Sequence, residues 1–574
     1  MSGLNLLVFR GGQRCVRGHK LKAALAEQLR LLCRGNSRER LIGALLRAGE
    51  LECGLADADG EDAHPAELLT DRIADALMEA EPWVGCQSSD FQTSNSPPAD
   101  FQNISFQALL DCVQSLPAIE QLSIATPEGF AYYALHPLAY ADVLEQVCEP
   151  EAPMLVVGIR SIGTTLSAVM AAAARWQGRK TERLTVRPQG HPYNRSAEFF
   201  ARQLAAIDQY VSWGATFAVV DEGPGLSGSS FLAVAEALER AGAPREKIVL
   251  ASSHSPNVDA LCADDAAHRW RRFRCVAVSG EARRPSKAID FIGGGKWRDR
   301  AFASRPDWPA TWTSFERLKY VSSNVDKGDD DRRLYKFAGL GHYGDDVYER
   351  ELKVADAGFG PMPRQESDGF VSYPWISRPG ICGRSLSARG ISPDVLARMA
   401  EYCAFRLRTF RVPLAELNAL QQMAAHNLHE LGLDLAAELR LKHPVIADGR
   451  MQPHEWLMTQ EGRLLKTDSG SHGDDHFFPG PTDIAWDLAG AIVEWRMNEQ
   501  EARDFLDRYR CASGDEPSAR IDGFIRAYAV FRAAYCLMAA NAMKGSDEEA
   551  RMEFAATEYK ALVMRMAARS LAAA

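Results

Sequence analysis

The sequence predicts an α/β protein: a mostly parallel sheet flanked by helices, followed by a bilobal α+β unit. Three observations carry this. Apolar runs without polar alternation, "MLVVGI" (154–159), "FAVVDE" (217–222), "KIVLASS" (247–253) and "RCVAVS" (274–279), fit strands buried on both faces. Helical segments such as "TTLSAVMAAAARWQG" (164–178) and "FLAVAEALERAG" (231–242) alternate with those runs, as in a parallel sheet with crossovers. A breaker-rich piece with Gly293 to Gly295 and "SRPDWPATW" (304–312) then gives way to mixed polar strands and long Ala/Leu/Arg-rich helices.

In chain order, the first unit is expected over residues 1–118. It opens with a short strand-like run, "LNLLVF" (4–9), continues with helical patterns such as "LKAALAEQLRLLCRG" (21–35) and "AELLTDRIADALMEA" (66–80), and passes through a polar linker-like stretch (85–103). Its role is open: a separate unit, a cover for the next site or a dimer surface. The parallel-sheet unit is expected over 119–298 and the last unit over 299–574.

Composition narrows the class. With 574 residues, 46% hydrophobic and 25% charged, the chain is globular and holds two or three domains. The net charge of −10 offers no global basic field for nucleic acid or an anionic membrane, and no stretch reaches the roughly 18 apolar residues of a membrane span. Twelve scattered cysteines, with no CxxC pair, suit reduced packing thiols in a cytoplasmic protein. Small-molecule partners are therefore expected, with no nucleic acid and no membrane; a homodimer is left open.

The stretch "FAVVDEGPGLSGSSF" (217–231) points to chemistry. A buried strand ends in Asp221 and Glu222, and a loop with Gly225, Ser227, Gly228, Ser229 and Ser230 leads into a helix. Glycines let backbone approach a phosphate, Ser hydroxyls and free N–H groups donate to it, and the helix dipole favours its charge. The carboxylates suit ribose hydroxyls or a Mg²⁺ ion. Upstream, "LVVGIRSIGTTLS" (155–167) offers Gly158, Arg160, Ser161, Gly163 and Thr164 to a second anion. Between them "LTVRPQGHPYNRS" (184–196) gathers Arg187, His191 and Arg195 in a loop able to close over a ligand.

These three elements resemble the type I phosphoribosyltransferases, over roughly residues 120–280. The resemblance implies a phosphoribosyltransferase-type fold using PRPP and Mg²⁺. Asp221 and Glu222 would hold the ribose hydroxyls, residues 225–230 the 5-phosphate and 158–163 the pyrophosphate. Arg187 or His191 would steady the leaving group. The loop "GPGLSGSS" is a residue longer than the usual form. Tyr132, Tyr133, His136 and Tyr140 are either a hood over an accepting base or core packing, and packing is the preferred reading.

A second constellation places Lys336 in a strand-like run, Glu351 on a following helix and "GFVSYPWI" (369–376) as a hinge strand. It ends with "HPVIADGRMQPHEWLM" and "GRLLKTDSGSHGDDHFFPGPTDIAWDLAG". This order resembles the aminoglycoside phosphotransferase and choline kinase class over roughly 315–560. The resemblance implies ATP and Mg²⁺, with Lys336 and Glu351 paired at the nucleotide and Glu455 and Asp468 on the metal. Laid on the pattern HGDxxxxN, Asp448 takes the His position, Arg450 the catalytic Asp and Glu455 the Asn. An Arg is no base at neutral pH, so Asp448 is the candidate replacement carboxylate. His472, Asp474, Asp475 and His476 are either further ligands or a solvated loop, and Asp483 and Asp487 are expected to hold the fold.

The chain is thus expected to be a bifunctional phosphoribosyltransferase and atypical kinase, with successive reactions on a nucleotide-like small molecule. Other readings are an ATP-dependent transfer of another kind in the last unit, or a PRPP or nucleotide sensor carrying a pseudokinase.

Overall fold

The computed structural model describes residues 6–8, 13–34, 37–59, 64–80, 105–117, 119–278, 283–322, 332–376, 390–413, 415, 417–433, 438–472, 477–478 and 480–573. The linker-like stretch 85–103 and the candidates Asp474, Asp475 and His476 lie outside these residues.

The N-terminal segment consists of β1 (Gln13–Arg17), α1 (Gly18–Arg34), α2 (Arg38–Asp59), α3 (His64–Ala80) and α4 (Phe106–Ser115). Among the described residues the first strand is β1; of the run at 4–9 only 6–8 are described, and they lie in no strand. Leu7 instead exchanges two hydrogen bonds with the Asn427 side chain, and Val8 is buried in the core of the last unit. Strand β1 pairs antiparallel with β2 (Gln121–Ala125), so the first sheet straddles residue 118.

Next come β3 (Met154–Ile159), α5 (Ile162–Trp176), β4 (Thr181–Val186), the hairpin β5 (Gln189–His191) and β6 (Asn194–Ser196), α6 (Ala201–Ser212), β7 (Thr216–Val220), α7 (Ser229–Arg240), β8 (Ile248–Ser252) and β9 (Arg274–Ala277). Strands β4-β3-β7-β8-β9 form a parallel five-stranded sheet. Alternation with period two decides the faces. Met154, Val156, Ala218 and Val220 pack with α1 to α5, whereas Leu155, Val157, Phe217 and Val219 pack with α6 and α7. The N-terminal helices thus supply one layer of the sheet's core. Strand β4 lies partly in a stretch read as loop from sequence; Leu184 and Val186 are buried, which draws it into the sheet.

Strand β10 (Asp290–Phe291), on the near side of the expected boundary at 298, pairs with β11 (Lys319–Val321). An antiparallel sheet β10-β11-β12-β14-β13 follows, with β12 (Arg333–Phe337), α8 (His342–Asp356), β13 (Arg364–Gln365) and β14 (Phe370–Pro374). The helical remainder contains α9 (Pro393–Thr409), α10 (Asn418–Glu430), β15 (Pro444–Val445), β16 (Trp456–Met458), β17 (Leu464–Lys466), β18 (Thr482–Asp483), α11 (Ala485–Glu494), α12 (Glu499–Ser513), α13 (Ile521–Ala542) and α14 (Asp547–Ala573). Among the described residues no helix is long and apolar enough to cross a membrane.

Helix α2 ties the units together. At Gly49 a side chain would meet Thr165 Oγ1 of α5 at 2.3 Å, and one at Gly341, just before α8, would meet the Gly43 Cα at 3.0 Å. Glu50 of α2 accepts the Tyr343 hydroxyl and lies 3.3 Å from His342.

Candidate active sites

The order β4-β3-β7 places the switch in strand order between β3 and β7, where crossovers diverge to opposite faces and open a crevice at the carboxyl ends. The turn after β3 and the acidic pair after β7 flank that crevice. Asp221 accepts the Glu222 backbone N–H at 2.9 Å and a hydrogen bond from the Gly163 N–H. Glu222 accepts the Gly129 N–H at 3.1 Å, and the Tyr140 hydroxyl donates to the Asp221 carbonyl at 2.6 Å. Among the described residues neither carboxylate forms an ion pair within 4 Å. Burial pushes Asp221 up to about 7, and burial with the neighbouring Asp221 and Glu128 charges pushes Glu222 up to about 8. Two half-buried carboxylates with Arg187 and Arg195 acting only from beyond ion-pair distance favour an incoming donor or metal ion.

The turn itself is strained. Ser161 stands at φ +126° immediately before α5, a conformation costly for any residue with a side chain. Its carbonyl accepts the Cys53 thiol at 3.5 Å, so α2 backs the turn.

Several expected anion contacts are placed elsewhere. Gly158 lies within β3, opposite Thr185 and Val220, and a side chain there would meet Ser167 Oγ at 2.4 Å; it serves close packing. Gly163 gives its N–H to Asp221 and sits under the Val220 carbonyl. Arg160 is buried, donating to the Ala56 carbonyl and Asp57 Oδ1, both at 2.9 Å, and so turns into α2. Arg187 donates to the same Asp57 carboxylate, with Nε at 3.0 Å from Oδ2, and to the Arg160 carbonyl at 2.8 Å. Asp57, in a segment whose sequence showed no chemistry, is therefore the shared anchor of both guanidiniums.

The loop after Glu222 turns through Gly225 and Gly228, at φ +58° and +70°. The Ser227 and Ser229 hydroxyls both donate to the Pro192 carbonyl, at 2.9 and 2.6 Å, so the β5–β6 hairpin rests on the loop. Ser230 is half-buried in the first turn of α7. His191 is exposed and its Nδ1 accepts the Tyr193 N–H; Arg195 donates to the Pro188 carbonyl. Of the aromatic hood candidates, Tyr140 and His136 are core residues, with His136 Nε2 3.6 Å from Asp368 of the last unit.

The second site is a cleft of about 220 Å³ lined by Lys319, Lys336, Glu351, Arg450, Glu455 and Asp468, among others. Lys336 on β12 lies 2.8 Å from Asp468 and donates to Ser471 Oγ at 3.0 Å; Lys319 lies 3.5 Å from the other Asp468 oxygen. Burial would raise the Asp468 carboxyl, but Lys319 and Lys336 bring it well below its usual range. Asp468 takes φ +57°, in the left-handed region. The expected Lys336–Glu351 pair is not formed. Glu351 accepts the Gly470 N–H at 2.8 Å and the Ser469 hydroxyl at 2.9 Å, bracing the turn after Asp468.

Around the turn at 448–455, Asp448 is fully buried. It accepts the Tyr402 hydroxyl and the Arg450 N–H and lies 3.2 Å from Lys466 Nζ. These contacts set Asp448 to hold the turn, against its expected part as a replacement base. The same ammonium lies 2.9 Å from Glu455 Oε2, an ion pair that sequence reasoning missed. The signal available was a lysine inside the apolar run "RLLKTD", two residues before Asp468. Asp487 accepts the Asp448 and Gly449 N–H groups, both at 2.9 Å, and Asp483 accepts those of Lys442, His443 and Ala485, so both fix loop backbone.

At this corner a grouping that could hold a metal ion shares two of its carboxylates with the Lys466 ammonium. Ligand atoms of Asp448, Glu455 and His472 lie within 4.8 Å of one another, and His472 Nδ1 is buried without a hydrogen-bond partner, 3.9 Å from Glu455 Oε1. That oxygen is the edge of Glu455 turned away from the Lys466 contact.

No protein-family model and no curated protein matches the chain. Among solved structures, it is similar to a choline/ethanolamine kinase family protein from Mesorhizobium loti, with 18% identity, 44% of this chain and 88% of that chain covered, and a TM-score of 0.31. For choline kinase LicA from Streptococcus pneumoniae the values are 16%, 42%, 89% and 0.27. For an aminoglycoside phosphotransferase from Alicyclobacillus acidocaldarius they are 11%, 45%, 91% and 0.29.

Proposed function

We propose that the protein is a fused transferase whose first site moves phosphoribosyl groups from PRPP and whose second cleft binds ATP with Mg²⁺. The observation that carries the first reading is the pair Asp221 and Glu222, pushed up by burial at the switch point of the parallel sheet, beside a strained turn opening α5. As pyrophosphate leaves, the anomeric carbon becomes cationic, and carboxylates on the ribose hydroxyls favour that charge. The start of α5, where Gly163 already gives its N–H to Asp221, would offer its remaining N–H groups to the departing anion, and the loop 225–230 would take the 5-phosphate. For Ser227 and Ser229 to donate to that phosphate, the hairpin must lift from them, which couples phosphate entry to loop movement.

In the second cleft, Lys336 and Lys319 are positioned to exchange Asp468 for nucleotide phosphates. Mg²⁺ would be held by Asp468 and Glu455, with His472 beside them, and would offset phosphate charge. The other reading, a PRPP or nucleotide sensor with a pseudokinase, is favoured by one observation: a guanidinium, Arg450, stands where a base is expected.

The test is titration calorimetry with PRPP·Mg²⁺ and then ATP·Mg²⁺, followed by phosphorus NMR with a mixture of nitrogenous acceptors. Binding of both, with pyrophosphate released only with acceptor, is the expected result. Binding without turnover selects the sensor, and no PRPP binding removes the phosphoribosyl reading.

A further inference from the structure

A single buried helical turn, Glu128–Ala131, touches both candidate sites. On its first-site side the Gly129 N–H donates to Glu222 Oε2 at 3.1 Å, and the fit is close: a side chain at Gly129 would meet Glu222 Oε1 at 2.8 Å and Ile162 Cδ1, at the start of α5, at 2.9 Å. Farther along the same segment the Tyr140 hydroxyl donates to the Asp221 carbonyl at 2.6 Å, so both acidic residues are held from this stretch. On its second-site side the turn offers carbonyls. Phe130 accepts the N–H of Leu340, between β12 and α8, at 2.9 Å, and Ala131 accepts Arg317 Nη1 at 3.0 Å. The same Arg317 nitrogen donates to the Ala338 carbonyl at 2.6 Å, and the guanidinium carbon lies 5.2 Å from the Tyr132 ring centroid. Arg317 lines the second cleft, where its charge bears on Lys336 and Tyr373. From Gly129 to Ala131 the chain thus passes from a hydrogen bond on Glu222 to one on an arginine of the cleft.

We propose that this turn couples the two sites: a ligand that takes the Glu222 carboxylate displaces the Gly129 N–H, shifts the turn and lets Arg317 reach the nucleotide, so that filling the first site tightens nucleotide binding in the second. The two states differ in named contacts. In one, Glu222 holds Gly129, and Arg317 is tied to the Ala131 and Ala338 carbonyls. In the other, ribose hydroxyls or Mg²⁺ hold Glu222. An N–H left without an acceptor in the interior is costly, so the turn moves to find another. Its Ala131 carbonyl then leaves Arg317 Nη1, which exchanges it for an anionic oxygen of the nucleotide, a stronger, charge-assisted partner. The nucleotide makes that contact in the second state alone, which is the differential affinity that a population shift requires. By linkage it must tighten the first-site ligand by the same factor.

This inference rests on the PRPP and ATP readings of the two sites, and the experiment separates their failure from its own. Titration calorimetry of the full chain measures the affinity for AMP-PNP·Mg²⁺ without and with saturating PRPP·Mg²⁺, and that for PRPP·Mg²⁺ without and with AMP-PNP·Mg²⁺. Each ligand is expected to tighten the other about fivefold or more, by the same factor in both orders. Arg317→Met, which keeps the reach of the side chain and removes its donors, and the milder Arg317→Gln should bring that factor to about one. The factor is a ratio within each variant, so it is read whatever the change does to AMP-PNP affinity alone. Tyr343→Phe cuts the separate hydroxyl contact from α8 to Glu50 of α2 and should keep the coupling. The inference is overturned if wild-type protein shows no coupling, if one ligand weakens the other, if both Arg317 variants keep the full factor, or if Tyr343→Phe abolishes it, which would route the signal along α2. Failure of wild-type protein to bind either ligand alone would instead remove the underlying reading.

Discussion

The two candidate sites use the same residue type in opposite ways. At the end of β7, Asp221 and Glu222 accept backbone donors and, among the described residues, form no ion pair within 4 Å; burial pushes them up to about 7 and about 8. In the second cleft, Asp468 lies between Lys336 and Lys319, while Glu455 and Asp448 share the one Lys466 ammonium and burial still pushes Glu455 up to about 7. A carboxylate lacking a partner spends folding free energy and gains it back when a ligand arrives. One already paired has stability, and its ligand must displace a partner. The first region is thus built to wait for charge, the second to exchange it.

The sharpest way to break this contrast is Lys466→Met. Removing the ammonium leaves Glu455 and Asp448 uncompensated in the interior, and urea unfolding should show a loss of about 3–5 kcal/mol. An unchanged midpoint would mean that these carboxylates are not held by Lys466. Next, Asp221→Ala with Glu222→Ala should weaken PRPP·Mg²⁺ binding by about a hundredfold or more and leave ATP·Mg²⁺ binding intact, read by calorimetry. Equal loss of both ligands would make the pair structural. Lys336→Ala should weaken ATP·Mg²⁺ binding about tenfold and spare PRPP.

A smaller effect concerns pH. Because Asp221 and Glu222 hold protons more tightly in the folded than in the unfolded chain, stability should fall as pH rises from about 4 to about 8. Asp221→Asn with Glu222→Gln should flatten that part of a thermal-melt profile, and an unaltered slope would place the titration elsewhere. The smallest change is expected from Asp57→Asn, which loosens Arg160 and Arg187 without altering fold; pyrophosphate affinity should rise a few-fold, about 1 kcal/mol or less. A decrease would show that Asp57 aims these guanidiniums instead of competing for them.

Much of the scaffold was legible because buried parallel strands leave unbroken apolar runs. Strands β3, β7, β8 and β9 each lie within such a run, and Lys336 and Glu351 fall on the expected strand and helix. What stayed hidden was pairing over long separation. Asp57 meets Arg187 across 130 residues, and Tyr402 meets Asp448 across 46, with no local pattern to announce either. Glycines misled for a related reason. Gly158 and Gly163 look like anion-loop residues from composition, yet their missing side chains admit Ser167 and the Val220 carbonyl. Lys336 also fell on the right strand but took Asp468 in place of Glu351, a choice set by the turn at φ +57° and invisible in spacing.

Helix α2 has a consequence for how the molecule can be divided. Glycine contacts at Gly49 and Gly43 seat one rod against the start of α5 and against the start of α8, while Val8 is buried in the far unit. Cutting the polypeptide near residue 298 would therefore not yield two independently folding pieces. Each fragment would expose apolar surface shaped by the other, and co-expressed halves would be expected to find each other before either worked alone.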